Sequence, residues 1–207
     1  MAAHMTAKST ALKILLLLSF MRLVPHIFFM KYHPSRECIK LDLERWSSCL
    51  NIPARLDTVC GTIYFFIKLM TFHPEYRNLF YYRLGWVGKM LYPLCSPMPT
   101  LYIYTKDIGP GLFIQHGFAS IISADKIGRN CWINQQVTIG FSNDTDCPII
   151  GDNVIIYAGA KVLGNVRVGD NSIVGANAVV IKDVPENCTV VGVPAYIVRR
   201  NGEKVSE

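Results

Sequence analysis

A six-residue aliphatic period runs unbroken through the second half of the chain: Ile150, Ile156, Val162, Val168, Val174 and Val180. An α-helix repeats about every 3.6 residues and a half-buried strand about every 2, so neither accommodates this pattern. A parallel β-helix does. Each hexapeptide forms one flat side of a three-sided coil and aims its aliphatic residue into the prism. Gly, Ala, Asn and Ser fill the positions between, where corners need tight packing or positive φ.

The period extends upstream through Ile108 and Ile114, then Ile127, Ile133 and Ile139, with one residue out of step near Lys126. A longer interruption, residues 141–149 (FSNDTDCPI), follows Gly140. Insertions in a solenoid map to loops on one face, often the binding face. The sequence therefore predicts about five coils of about 18 residues over 108–195, with one functional loop.

The first half is different. Residues 1–106 carry a formal charge of +8 and residues 107–207 one of −2. A basic, aromatic first half beside a nearly neutral solenoid points to a membrane surface or an anionic partner. No nucleic-acid recognition module is visible, so nucleic acid is not expected. Residues 1–10 are read as a cloning remnant (MAAHM) and a disordered start. Residues 11–30 are apolar, but Lys13, Arg22 and Pro25 interrupt them. A spanning helix wants about 20 apolar residues. A helix lying on a membrane or docked on the core is therefore preferred to a spanning anchor or a cleaved signal. Residues 36–95 show helical spacing, with Pro74 at a helix start and an aromatic-basic face that either packs between subunits of a trimer or covers the end of the solenoid, or else meets lipid headgroups. Pro93, Pro97 and Pro99 make the linker, so 11–99 is a helical region, 100–200 the β-helix and 201–207 a tail.

The seven cysteines show no metal-ligand spacing and suit a reducing cytoplasm. Cys38, Cys49 and Cys60 are eleven residues apart and are expected to share one helix face as buried thiols. No metal site is expected.

Two adjacent prisms leave a groove between flat faces, suited to a long thin ligand such as the pantetheine arm of coenzyme A. Small residues at Tyr157-Ala158-Gly159-Ala160 and Gly175-Ala176-Asn177-Ala178, one coil apart, let it approach closely. The coils, the interrupting loop and the ending Gly192-Val193-Pro194-Ala195 after Lys182-Asp183-Val184-Pro185 resemble the hexapeptide-repeat acyltransferases, serine acetyltransferase above all. The resemblance covers residues 108–200. It implies a mainly β fold, a left-handed parallel β-helix behind an α-helical N-terminal region, a homotrimer with sites between subunits, and acetyl-CoA as donor.

The resemblance places the general base at His116, the one histidine of the coils. Hydroxyl acetylation needs such a base, and imidazole suits it near neutral pH. Coenzyme binding is expected along Gly140, Ala158, Gly159 and Ala176, with a backbone N–H near Gly140 as oxyanion donor and Lys182, Arg199 and Arg200 near the phosphates. Gln115, Asp144 and Asp146 are the candidate acceptor contacts. Three departures bear on the acceptor. The loop reads Asp146-Cys147-Pro148 where serine acetyltransferases carry Arg-His-Pro. Gln115 stands for the family's Asp before the base. The acid that orients the base falls at Leu101, with Asp107 the nearest carboxylate. An Asp facing a carboxylate substrate is repulsive where Arg would pair with it. The expected acceptor is therefore a sugar hydroxyl of a polysaccharide or glycan precursor, at the inner face of the cytoplasmic membrane. The alternatives are serine O-acetylation for cysteine synthesis and a non-catalytic solenoid scaffold. Cys147 as a nucleophile is disfavoured, because nearby acids raise a thiol's pKa.

Overall fold

The computed structural model describes residues 2–205; Met1, Ser206 and Glu207, in the expected start and tail, lie outside the described residues. Five helices come first: α1 (Ala2–Tyr32), α2 (Arg36–Cys49), α3 (Val59–Phe72), α4 (Pro74–Leu84) and α5 (Trp86–Leu91). Sixteen short strands follow, three to a coil. They are β1 (Leu101–Ile103), β2 (Asp107–Ile108), β3 (Phe113–Ile114); β4 (Ser120–Ile122), β5 (Lys126–Ile127), β6 (Trp132–Ile133); β7 (Thr138–Gly140), β8 (Ile149–Ile150), β9 (Ile155–Ile156); β10 (Lys161–Leu163), β11 (Arg167–Val168), β12 (Ile173–Val174); β13 (Val179–Val180), β14 (Cys188–Val191); and a closing antiparallel pair, β15 (Tyr196–Arg200) and β16 (Glu203–Lys204).

Each coil contributes one strand to each face, and like strands stack in parallel. The first face is β1-β4-β7-β10-β13, the second β2-β5-β8-β11, and the third β3-β6-β9-β12-β14 with β15 and β16 at its edge. The period is the cause. Ile114, Ile127, Ile133, Ile139, Val162, Val168 and Val174 are all fully buried in the prism, each such side chain contributing about 1.5–3 kcal/mol of hydrophobic stabilisation. Corners are turned by left-handed residues. At the corner between second and third faces four of these are asparagines, Asn130, Asn153, Asn171 and Asn187. Their amides link coil to coil: Asn153 donates to Asn171 at 3.0 Å and Asn171 to Asn187 at 3.1 Å.

The register break is placed differently from the sequence expectation. Ile122 pairs with Ile139, and eight residues, not six, separate Ile114 from Ile122. The next step, Ile122 to Ile127, is one short. The net slip of one surfaces near Lys126, but the inserted residues are in the corner holding His116. The 141–149 loop is a true insertion, between β7 and β8.

The helices cap the first coil. Trp46 of α2 donates from its indole N–H to the Leu112 carbonyl at 2.9 Å, with its ring edge on Phe113 and Tyr76. Arg83 of α4 holds Asp42 of α2 at 2.8 Å and donates to the carbonyls of Gly109 (2.7 Å) and Ile108. Asp42 in turn accepts from the Gly111 N–H at 2.7 Å. The aromatic-basic face of α4 is thus turned inward, with Tyr76, Phe80, Tyr81 and Arg83 buried. It covers the solenoid end, and the headgroup alternative does not hold for it.

Two further expectations are corrected. Cys38 and Cys49 lie on α2 but Cys60 begins α3, so the three share no helix, and Cys60 is exposed. The break is the turn after Cys49, where Asn51 takes a left-handed φ of 52° ahead of Pro53. Helix α1 also begins at Ala2 and runs through Pro25 without ending. Packing overrides the proline's lost N–H: Ser19, Leu23 and His26, on one face, are buried, and His26 hydrogen-bonds Tyr81 at 2.9 Å. The opposite face carries Leu17, Met21, Val24 and Phe28, all exposed. Residues Leu15–Tyr32 are long and apolar enough to cross a membrane by length and composition.

Candidate active site

His116 stands in the widened corner between β3 and β4. It is exposed, with φ at 66°, and Gly117 (φ 59°) and Ala119 (φ 53°) are also left-handed. A run of positive φ outside glycine is costly and marks a turn built for what it presents. Stacking Ile114 on Ile133, Ile156 and Val174 puts His116, Gln135, Ala158 and Ala176 in equivalent places of successive coils. The imidazole therefore sits at the foot of a ladder that becomes small-residued above it. Gln115 leads into the turn, donating its backbone N–H to Ile133 O at 2.9 Å. Gln135 Oε1 and Asn134 Oδ1 are buried without a hydrogen-bond partner among the described residues. Buried amide oxygens are rarely left so. Sequence reasoning passed both over; their place one coil above Gln115 and His116 was the signal.

The predicted coenzyme residues do not gather on one edge. Ala158 and Ala176 share the corner between third and first faces, while Gly140 ends β7 at the opposite edge of the first face. A Cβ at Gly140 would meet nothing within 4 Å, although the residue itself is buried and its carbonyl accepts from the Gly164 N–H. Gly159 has a packing role: a Cβ there would fall 2.0 Å from Asn177 Oδ1. Lys182 follows β13 at the same edge as Gly140. Arg199 and Arg200 pair with Thr189 and Cys188, on the far side of the third face. The three cations thus occupy two separate places on one chain, Lys182 in one and the two arginines in the other.

The loop is organised by its own groups. Asp146 accepts from the Ser142 hydroxyl and from the backbone N–H groups of Ser142 (2.8 Å) and Asn143 (3.0 Å). These donors, Ser142 first, hold its carboxyl below the usual carboxylate range. The carboxylate expected to face the acceptor is spent on folding the loop, and Asp144 is exposed. Burial, then Asp125 and Asp146, push the Cys147 thiol up, consistent with no nucleophilic role. Among the described residues no cluster of three metal-binding side chains occurs.

Comparison with known proteins agrees with this architecture. The family described as "Bacterial transferase hexapeptide (six repeats)" matches residues 147–182. A serine acetyltransferase of Synechococcus elongatus is 38% identical over 138 residues, 64% of this chain and 57% of that protein. The chain spans about half the length of the curated relatives it matches. Among solved structures, Neisseria gonorrhoeae serine acetyltransferase in complex with serine superposes with a TM-score of 0.59 at 30% identity, covering 78% of this chain and 68% of that one. A serine acetyltransferase in complex with CoA gives 0.54 at 27% identity over 82% and 72% of the respective chains. By fold and repeat alike, the chain belongs to the serine acetyltransferase-like hexapeptide-repeat transferases, with their left-handed β-helix.

Proposed function

We propose that the protein is an acetyl-CoA-dependent O-acetyltransferase with His116 as general base. The observation that carries this is the His116 corner: the repeat is widened there alone among the corners of that edge, and the widening presents one exposed imidazole below a small-residue ladder. Acetyl-CoA supplies the thioester carbonyl. His116 accepts the proton of the acceptor hydroxyl as its oxygen attacks, and returns a proton to the leaving thiolate. Backbone N–H groups at the end of β7, near Gly140, are the candidate oxyanion donors.

The placement of the site residues supports the homotrimer of this reading. His116 and the 141–149 loop lie at opposite edges of the first face, so a site using both takes its loop from a neighbouring copy. The same holds for Ala158 and Gly140, on either wall of a groove between two prisms.

The relatives' names support L-serine as acceptor, the alternative in the sequence reading, over a sugar. The loop geometry removes part of the objection to it, because Asp146 faces its own loop and not the substrate. The sugar reading keeps one observation in its favour, the absence of an Arg in Asp146-Cys147-Pro148 to pair with a carboxylate. The test is thiol release from acetyl-CoA with L-serine, free sugars and lipid-linked glycans, for wild type and His116→Ala. The expected result is O-acetylserine, and a loss of about 10²-fold or more in the variant. Turnover on a glycan alone would establish the second acceptor. Turnover on nothing would leave the scaffold.

The exposed apolar stripe of α1 and the basic first half support residence on the inner face of the cytoplasmic membrane. Leu23 and His26 are buried against the other helices, which suits a helix lying along the protein's flank rather than standing free in a bilayer.

A further inference from the structure

The family's pattern leaves His116 without an orienting acid on the coils. Leu101, where it would fall, is apolar and buried. Asp107 is exposed on the second face, where Lys126 lies 3.7 Å from it. The helical cap, however, brings a different carboxylate to this corner. Glu75, at the start of α4, is only 8% exposed. A Cβ added to Gly117, the residue after His116, would lie 3.1 Å from Glu75 Cβ and equally close to Leu101 Cδ2. Glu75 therefore stands beside Leu101 directly under the His116-Gly117 turn. The bare Gly117 backbone is what allows the helix to come so near.

Glu75 is also under-used. Two acids are buried among the described residues. Asp42 is fully engaged by Arg83 and the Gly111 N–H. Glu75 has one long contact, from Oε1 to His73 Nδ1 at 3.4 Å, and Oε2 bonds no other described residue. The packing nearly encloses this side chain, yet Oε2 keeps its full capacity to accept a further donor.

We propose that Glu75 is the positioning residue for His116: its carboxylate accepts the imidazole's N–H, fixing the ring and its tautomer so that the other nitrogen faces the acceptor hydroxyl. The acid has moved from the coil to the capping helix, and the cap becomes part of the active site. This rests on His116 being the base.

The test compares Glu75→Gln, Glu75→Asp and His116→Ala with wild type, using acetyl-CoA and L-serine. A second readout, independent of the acceptor, is the ¹⁵N spectrum of histidine-labelled protein at fixed pH, with the His116 signals assigned by their loss in His116→Ala. Glu75→Gln is expected to lower kcat at least about tenfold, less than His116→Ala does, with the KM for acetyl-CoA and the unfolding midpoint little changed. The single-tautomer His116 signals should become a mixture. Glu75→Asp, which keeps the charge and shortens the reach, should recover part of both; should Glu75→Gln not fold, this variant decides. An unmoved His116 spectrum in a folded Glu75 variant overturns the proposal, as does wild-type kcat in that variant while His116→Ala is inactive. Wild-type turnover by His116→Ala removes instead the functional reading beneath it.

Discussion

The Arg83–Asp42 pair offers the sharpest test of how the helical cap holds the first coil. Both side chains are nearly inaccessible, at 5% and 2%. Arg83 makes four hydrogen bonds: two to Asp42 (2.8 and 3.2 Å) and two to the backbone carbonyls of Ile108 and Gly109. Arg83→Met keeps the stem and deletes all four donors. It strands a buried carboxylate with the Gly111 N–H and leaves two buried carbonyls unpaired. Removing one partner of a buried pair costs about 3–5 kcal/mol, and the orphaned carbonyls add to it.

Asp42→Asn should behave otherwise. Burial pushes the Asp42 carboxyl above its usual range, against the pull of Arg83 and of the Gly111 and Leu112 N–H groups. The charge itself is thus poorly repaid, and what matters is an oxygen that bridges Arg83 and Gly111. An amide keeps the oxygen shared by Arg83 Nη2 and Gly111 but sets its NH2 against the Arg83 Nε–H, so the expected loss is about 1.5–3 kcal/mol, that of a single charged hydrogen bond. Urea unfolding of both variants at one protein concentration measures the difference. Near-equal losses, or a loss under about 1 kcal/mol for Arg83→Met, would refute the view that this guanidinium stitches α2 and α4 to the coil.

Three other outcomes are expected. Ala158→Trp should fill the ladder above His116 and abolish coenzyme A binding in calorimetry, while unchanged affinity would place the donor elsewhere. His26, pushed down to about 4 by burial and then Arg22, is neutral in the folded chain, so it contributes stability above pH 6.5 that is lost as pH falls from 6.5 to about 4. The loss is at most about 3 kcal/mol, and His26→Gln should flatten stability against pH across that window. Deleting residues 1–35 would also remove Leu23 and His26 from the core, so membrane attachment is better tested with Leu17→Glu and Met21→Glu, which should abolish flotation with anionic liposomes and leave the fold intact; equal flotation would refute the surface reading, and resistance to carbonate extraction would favour a spanning helix.

The coils were legible because one physical requirement repeats: each side must bury one aliphatic residue, and a fixed spacing satisfies it every time. The corner insertion was not. Two residues gained after Ile114 and one lost after Ile122 cancel to a slip of one, which surfaces downstream at Lys126. The cysteine spacing misled for the same reason. An eleven-residue interval fits three helical turns whether or not the chain turns between them, and Asn51 with Pro53 was the better signal. Glu75 was out of reach in principle. It meets Gly117 across 42 positions of sequence, and no periodicity encodes which helical residue lands under which corner.

Between Ile108 and Val180 the period is exceeded at only two places, the His116 corner and the 141–149 loop. A solenoid has little else to vary, since a side chain changed within a face must still stack on its neighbours above and below. Chemistry is therefore forced outward, to corners and insertions. Both departures border the same face, one at each edge, and in successive coils. A single prism cannot fold its own face over to join them, but a second prism laid against the edge can. The spacing of the irregularities thus supports the proposed intersubunit site more strongly than any single residue does. It also explains the work of the helical cap, which must fix the one corner that the period no longer holds.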